Sequence, residues 1–160
     1  MLQKATAVVQ QLGDRNWTIS LAESCTGGML AETITSVSGA SNVFECGVVS
    51  YSCRIKSEFL GVDPELIEQY TVVSEPVSVA MATGIRERAK ANLGVGITGV
   101  AGPGPDGVHP EGEIFVSLSD GVHSFTTHLN TGTTNQREQN RKAAVEAALD
   151  LVLEYLEGNQ

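Results

Sequence analysis

The run Gly94-Val95-Gly96-Ile97-Thr98-Gly99-Val100 constrains the fold more than any other stretch of the chain. Apart from the Thr98 hydroxyl it offers no polar side chain, so it reads as a strand buried on both faces. Such a strand needs cover above and below. The surrounding patterns can supply it, because helical and β periods alternate along the chain. Leu2, Ala5, Val8, Val9 and Leu12 recur at helical spacing, with Gly13 as a stop. Trp17 to Ala22 alternates as a strand, and Met29, Leu30, Thr33, Ile34 and Val37 mark a short helix ending before Gly39. Val43 to Tyr51 is a second strand, in which Gly47 marks a weak point or a bulge.

A short helix follows over Arg54 to Leu60. Asp63-Pro64, a cap and a first-turn proline, start another that runs to about Tyr70. Ser74-Glu75-Pro76 repeats that signal, and the helix behind it places Val77, Ala80, Met81, Ile85 and Ala89 on one face. Beyond the apolar strand lies a glycine- and proline-rich loop, Ala101 to Gly112. Ile114, Val116 and Leu118 then alternate, Asp120-Gly121 signals a two-residue hairpin turn, and Val122 to Leu129 completes the pair. A last helix runs from near Thr134 to about Leu156. The expectation is one α/β domain over residues 1–160: an α/β/α sandwich with a mixed sheet and an antiparallel hairpin near the C-terminus.

The charge balance narrows the partners. Ten basic against nineteen acidic residues give a net charge of -9, which argues against an extended nucleic-acid surface. It leaves room for a small anion held by a few local donors. Cys25, Cys46 and Cys53 form no metal-ligand pattern and read as free thiols of a reducing cytosol. No signal-like segment opens the chain, and no apolar run reaches the roughly 20 residues a membrane helix needs. The expectation is a cytoplasmic protein that engages no membrane and no nucleic acid.

Chemistry concentrates at Glu23-Ser24-Cys25-Thr26-Gly27-Gly28, where the first strand gives way to a helix. One reading is local: Ser24 or Thr26 caps the helix and the glycines ease the turn. The other makes Ser24 a nucleophile or phosphate ligand at the positive end of a helix. No Gly-x-Ser-x-Gly elbow and no Walker lysine accompany it. Of the three histidines, His123 and His128 fall in the hairpin, where exposed strand positions explain them, and none is placed near Ser24 by the sequence. Lysine activation is the other general route. Lys56, on the first turn after Tyr51-Ser52, could provide it; a solvated Lys56 and a core Tyr51 are the plainer alternative.

Two further segments can line a site. Thr98 and the amides of Gly99 to Gly102, including Ala101, lie at the carboxyl end of the buried strand, where open α/β sheets hold ligands. A dinucleotide fingerprint is not indicated there, since a strand follows instead of a helix. In the last helix, Val145, Ala148, Val152 and Leu156 form a stripe that steps of four carry back to Arg141 and Arg137. An anion clamp would use them, whereas an ion pair with Glu138 or another acid is the commoner outcome for such arginines.

Taken together these segments resemble the CinA C-terminal domain family, the stand-alone nicotinamide-nucleotide amidohydrolases. The residues that carry the resemblance are Ala22-Glu-Ser-Cys-Thr-Gly-Gly28, Gly47-Val-Val-Ser-Tyr-Ser52 with Lys56, Leu60-Gly-Val62, Val73-Ser-Glu75, Gly96-Ile-Thr-Gly-Val-Ala-Gly-Pro103 and Arg137-Glu-Gln-Asn-Arg141. Longer members carry a nucleotide-pyrophosphatase domain upstream, to which the resemblance does not extend. It implies hydrolysis of nicotinamide mononucleotide to nicotinic acid mononucleotide and ammonia, without metal or cofactor, by a homo-oligomer. It also implies Ser24 as nucleophile, Lys56 and Tyr51 in proton transfer, and oxyanion donors among the amides of Thr26 to Gly28. The substrate would be held by Cys25, Thr26, Gly27, Gly28, Thr98, Gly99, Ala101, Gly102, Arg137 and Arg141. A catalytically silent nucleotide-binding or regulatory domain is the alternative, and a thiol amidase using Cys25 a further one.

The chain departs from the family pattern close to these residues. Asparagine and an acid usually follow Tyr-Ser, where Cys53 and Arg54 stand here. The usual Lys-Pro-Val-Gly is His109-Pro110-Glu111-Gly112, and the usual Gly-Asp-Arg before the last helix is Asn135-Gln136-Arg137. A Glu111 that faces a bound phosphate would weaken its binding, so these positions bear on the choice of ligand.

Overall fold

Helices and strands alternate in the order that the hydrophobic periods predict, in a computed structural model that describes residues 1–158. The elements are α1 Leu2–Arg15, β1 Ile19–Glu23, α2 Met29–Thr35, β2 Phe44–Val49, α3 Cys53–Leu60, α4 Pro64–Tyr70, α5 Glu75–Ala89, β3 Leu93–Gly99, β4 Glu113–Ser119, β5 Ser124–Asn130 and α6 Arg137–Gly158. The strands form one mixed sheet in the order β2-β1-β3-β4-β5. β1 runs parallel to both β2 and β3, while β4 and β5 turn back as an antiparallel hairpin. α1, α2 and α6 cover one face, and α5 the other, with α3 and α4 packed against it. The α/β/α sandwich is thus as expected. Among the described residues no helix is long and apolar enough to cross a membrane.

β3 is the buried strand its composition predicts, and its glycines let α5 press onto it. A Cβ at Gly94 would stand 2.1 Å from the Ala82 carbonyl oxygen, and one at Gly96 2.3 Å from that of Ser78. β1, between β2 and β3, is buried along its whole length and does not alternate. A strand with helices on both faces has no wet side for polar residues to fill.

Several boundaries differ from the sequence reading for local reasons. α1 passes through Gly13 and ends at Arg15, because left-handed Asn16 supplies the C-cap; its N–H reaches the Gly13 carbonyl and that of Trp17 the Leu12 carbonyl. β2 stops at Val49, so Ser50 and Tyr51 belong to the approach to α3. Its irregularity falls at Glu45, skipped in the pairing of Ile19–Ser20 with Phe44 and Cys46, and not at Gly47. The hairpin loop spans Asp120 to His123, since the Asp120 carboxylate accepts from the amides of Val122 and His123 and delays β5 to Ser124. α6 begins at Arg137 instead of Thr134.

The topology brings three connections to one place. The segments after β1, β2 and β3 all leave from the carboxyl edge of the parallel part of the sheet. β1 lies between the two strands that follow it in the chain, which opens a crevice beyond its end.

Candidate active site

The turn after β1 is held by a residue the sequence reading passed over. Glu23 is 1 % exposed, and its carboxylate accepts from the amides of Gly28 (3.1 Å), Leu30 (3.1 Å) and Ala31 (2.8 Å). The cap of α2 is therefore Glu23, and neither Ser24 nor Thr26. The positive end of α2 is engaged by Glu23 and is not aimed at Ser24. Gly27 and Gly28 take positive φ of 62° and 98°, which folds the turn back on itself. From the other side Arg141 donates to the carbonyl oxygens of Cys25 (3.1 Å) and Thr26 (2.8 Å). Arg141 is thus a strap on the turn, bound to its backbone through Nε and Nη2. Glu138 pairs with Lys142 at 2.5 Å.

Ser24, so held, meets Lys56. The lysine sits on the first turn of α3 and is 0 % exposed, so the solvated alternative does not apply. Its Nζ donates to Ser24 Oγ (3.1 Å) and to the carbonyl oxygens of Ser50 (2.6 Å) and Tyr51 (3.4 Å). No carboxylate of a described residue pairs with it, and burial holds its pKa below the ordinary lysine value. The same burial pushes the Cys25 thiol up to about 11, which leaves it protonated and a poor nucleophile. Of the amides expected to face an oxyanion, Gly27 donates to Ser24 O and Gly28 to Glu23. The amides of Cys25 and Thr26 have no partner in another described residue.

Around this pair lies a cleft of about 290 Å³. Ser24, Cys25 and Lys56 form its floor. Val72 and Val73, Thr98 to Asp106, Tyr51 and Arg137 complete its lining. Thr26, Gly27, Gly28 and Arg141, also expected to hold substrate, lie behind this surface and shape the turn. Thr98 contributes its backbone, since its hydroxyl is committed to Val72 O at 2.9 Å. Tyr51 is no core residue: it is 61 % exposed, and its hydroxyl accepts from Arg137 at 3.0 Å, with no bond to Ser24 or Lys56. Arg137 also donates to Gly102 O.

Two more residues order the site from behind. Asn140 is fully buried and donates to Ala101 O (3.0 Å) while accepting from the hydroxyls of Thr131 (2.6 Å) and Thr133 (2.5 Å). Steps of four back from Leu156 through Val152, Ala148 and Ala144 end on it, so the stripe itself could have revealed it. Glu111 turns away from the cleft toward backbone amides, and so does not confront a bound anion there. Asp106, which does line the cleft, gave no sequence signal; its carboxylate caps the turn at Val108 and His109. Burial raises its pKa, and those amides outweigh that and hold it below the usual carboxylate value. Among the described residues no three His, Cys, Asp or Glu side chains gather to hold a metal ion.

The sequence profile of the CinA C-terminal domain matches residues 2–156. The chain belongs to the CinA C-terminal domain family. A CinA-like protein of Acidobacterium capsulatum is 42% identical over 146 residues, 91% of this chain and 35% of that one. Another, of Chlorobium limicola, is 39% identical over 154 residues, covering 94% and 36%. The chain thus spans about a third of the length of these CinA relatives. Solved structures of CinA proteins superpose over both chains almost entirely. The competence/damage inducible protein CihA of Agrobacterium tumefaciens has a TM-score of 0.91 at 30% identity, covering 99% of this chain and 95% of that one. A competence-damaged protein (CinA) superfamily protein of Klebsiella pneumoniae has a TM-score of 0.91 at 30% identity, covering 98% of each.

Proposed function

We propose that the cleft hydrolyses the carboxamide of a pyridine nucleotide, nicotinamide mononucleotide, releasing ammonia and nicotinic acid mononucleotide. The observation that carries this reading is the 3.1 Å bond between the fully buried Lys56 Nζ and Ser24 Oγ. Burial disfavours the charged lysine, and in its unprotonated form the amine can take the serine proton as Oγ attacks the carboxamide carbon. The Cys25 amide, which has no partner in another described residue, is the donor available in the cleft to the oxyanion that develops. Lys56 then returns its proton to the departing nitrogen, and ammonia leaves an acyl-serine. Water, deprotonated by the same lysine, attacks the acyl carbon, and as the C–O bond to Ser24 breaks the lysine returns that proton to Oγ, freeing the acid, which ionises to the carboxylate.

The walls suit such a substrate. Val72, Val73 and the prolines at 103 and 105 offer apolar surface to a flat ring, and Arg137 at the rim offers a guanidinium to a phosphate. Tyr51, bound to that guanidinium, acts in this reading at the rim, with proton transfer left to Lys56. Incubating the protein with nicotinamide mononucleotide and measuring ammonia together with nicotinic acid mononucleotide tests the reaction. Equimolar release of both is expected. No turnover of it or of a panel of related carboxamides would leave a binding domain in its place.

A further inference from the structure

Glu111 is 8 % exposed and lies at the end of the glycine- and proline-rich loop after β3. Its carboxylate joins two segments that are far apart in sequence. One oxygen accepts from the Gly104 amide at 2.7 Å, and the other from the Gln136 amide at 3.0 Å and from Asn140 Nδ2 at 3.3 Å. Gly104 belongs to the cleft wall, while Gln136 is the residue before α6, next to Arg137. The carboxylate also fills the space above Gly102, where a Cβ would stand 2.3 Å from Glu111 Cδ. On the cleft side, Arg137 closes the same gap by donating to Gly102 O. Wall, Glu111, Gln136 and Arg137 thus form a ring, with an acceptor behind it and the guanidinium in front.

We propose that Glu111 is a positioning residue that, from outside the cleft, sets the place of Arg137 against the wall that binds substrate. This rests on the reading that Arg137 receives the substrate's anionic group. Two amides that face one carboxylate cannot satisfy each other once it is removed, so wall and turn must part or admit water. The start of α6 also loses the anion that complements its dipole. Ser24 and Lys56 stand on the turn after β1 and on α3, outside this ring, so substrate binding suffers while the chemical step is spared.

The test compares Glu111→Ala, Glu111→Gln, Arg137→Ala and the Glu111→Ala/Arg137→Ala double variant. Steady-state kinetics with nicotinamide mononucleotide is run beside amide hydrogen exchange at Gly104 and Gln136. Glu111→Ala is expected to raise KM on the order of tenfold with kcat within about threefold, and Glu111→Gln, which keeps one acceptor oxygen, to recover part of it. Exchange at both amides should quicken by at least roughly tenfold. The double variant should have the KM of Arg137→Ala alone, because Glu111 acts through that side chain. Multiplying KM effects, or a fall in kcat to match the rise in KM, would overturn the proposal. The exchange arm stands even if the wild type turns over no nicotinamide mononucleotide, a result that would remove the proposed reaction. In that case unchanged exchange at Gln136 in Glu111→Ala overturns the positioning role, and faster exchange at both amides supports it.

Discussion

Ser24 and Cys25 are neighbours on one turn, and their surroundings give them opposite prospects. Ser24 Oγ has a buried amine within hydrogen-bonding reach, whereas burial holds the Cys25 thiol protonated, with a pKa of about 11. Ser24→Ala should therefore lower ammonia release from nicotinamide mononucleotide by on the order of 10³-fold or more, with Cys25→Ala within about fivefold of wild type. The reverse order would transfer the nucleophile to sulfur. Lys56 makes a sharper demand because its pKa is depressed in the folded chain and about 10.5 in the unfolded one. Between those two values the unfolded state binds the proton that the folded state has released. Wild-type stability must then rise with pH through that window and be flat below the folded value. In Lys56→Met this slope is missing, so urea midpoints of the two proteins, followed from pH 7 to 10, should converge or cross as pH rises. Parallel curves would mean that Lys56 is not desolvated in the folded state. The sequence could nominate Lys56 by its distance from Tyr51, but burial decides its chemistry, and burial depends on how the chain packs around α3, which lies against α5.

At the scale of elements, the sequence was most legible where one residue type answers a local need. Asp63 before Pro64, accepting from the Glu65 amide, and the glycine-punctuated β3 were found as read. The helix after β1 was legible as a helix while its cap was not. A glutamate five residues before the amide it accepts from lies outside any local capping rule, and only the folded turn carries Glu23 back to Gly28. The partners of Arg141 were not legible for a related reason. A helical stripe shows which side faces inward but not whether ligand or backbone waits there, and here the carbonyls of Cys25 and Thr26 wait. Packing between elements has its own signature in glycine. A Cβ at Gly84, inside α5, would stand 1.9 Å from the Leu60 carbonyl oxygen at the end of α3, and that backbone has no rotamer with which to yield. Gly84→Ala is expected to cost about 3 kcal/mol, helix propensity notwithstanding. For a chain of this length that is roughly 9 °C in Tm, measurable by calorimetry. A neutral outcome would mean that α3 and α5 slide apart freely. Because α3 carries Lys56, Gly84→Ala should also reduce kcat.

Over the whole molecule, the hairpin was evident from its turn, yet the order β2-β1-β3-β4-β5 was not, because a strand's period names no partner. That order is what creates the crevice beyond β1 and lets three connections share it. The net charge, by contrast, is read directly from the chain, and it acts on the site from a distance. At -9 the protein repels an approaching phosphate ester, while Arg137 attracts it at short range. Salt separates the two influences, since raising ionic strength from 0.01 to 0.15 M shortens the Debye length from about 30 to about 8 Å. The repulsion, spread over the surface, fades across that range, whereas a close contact with Arg137 at the rim is screened less. For nicotinamide mononucleotide, kcat/KM should then rise by roughly twofold with salt while kcat holds steady. Arg137→Ala should lower kcat/KM at every ionic strength and keep the same upward slope. A kcat/KM that falls steadily with salt in the wild type, and is flat in Arg137→Ala, would instead mean that the single guanidinium outweighs the charge of the entire surface.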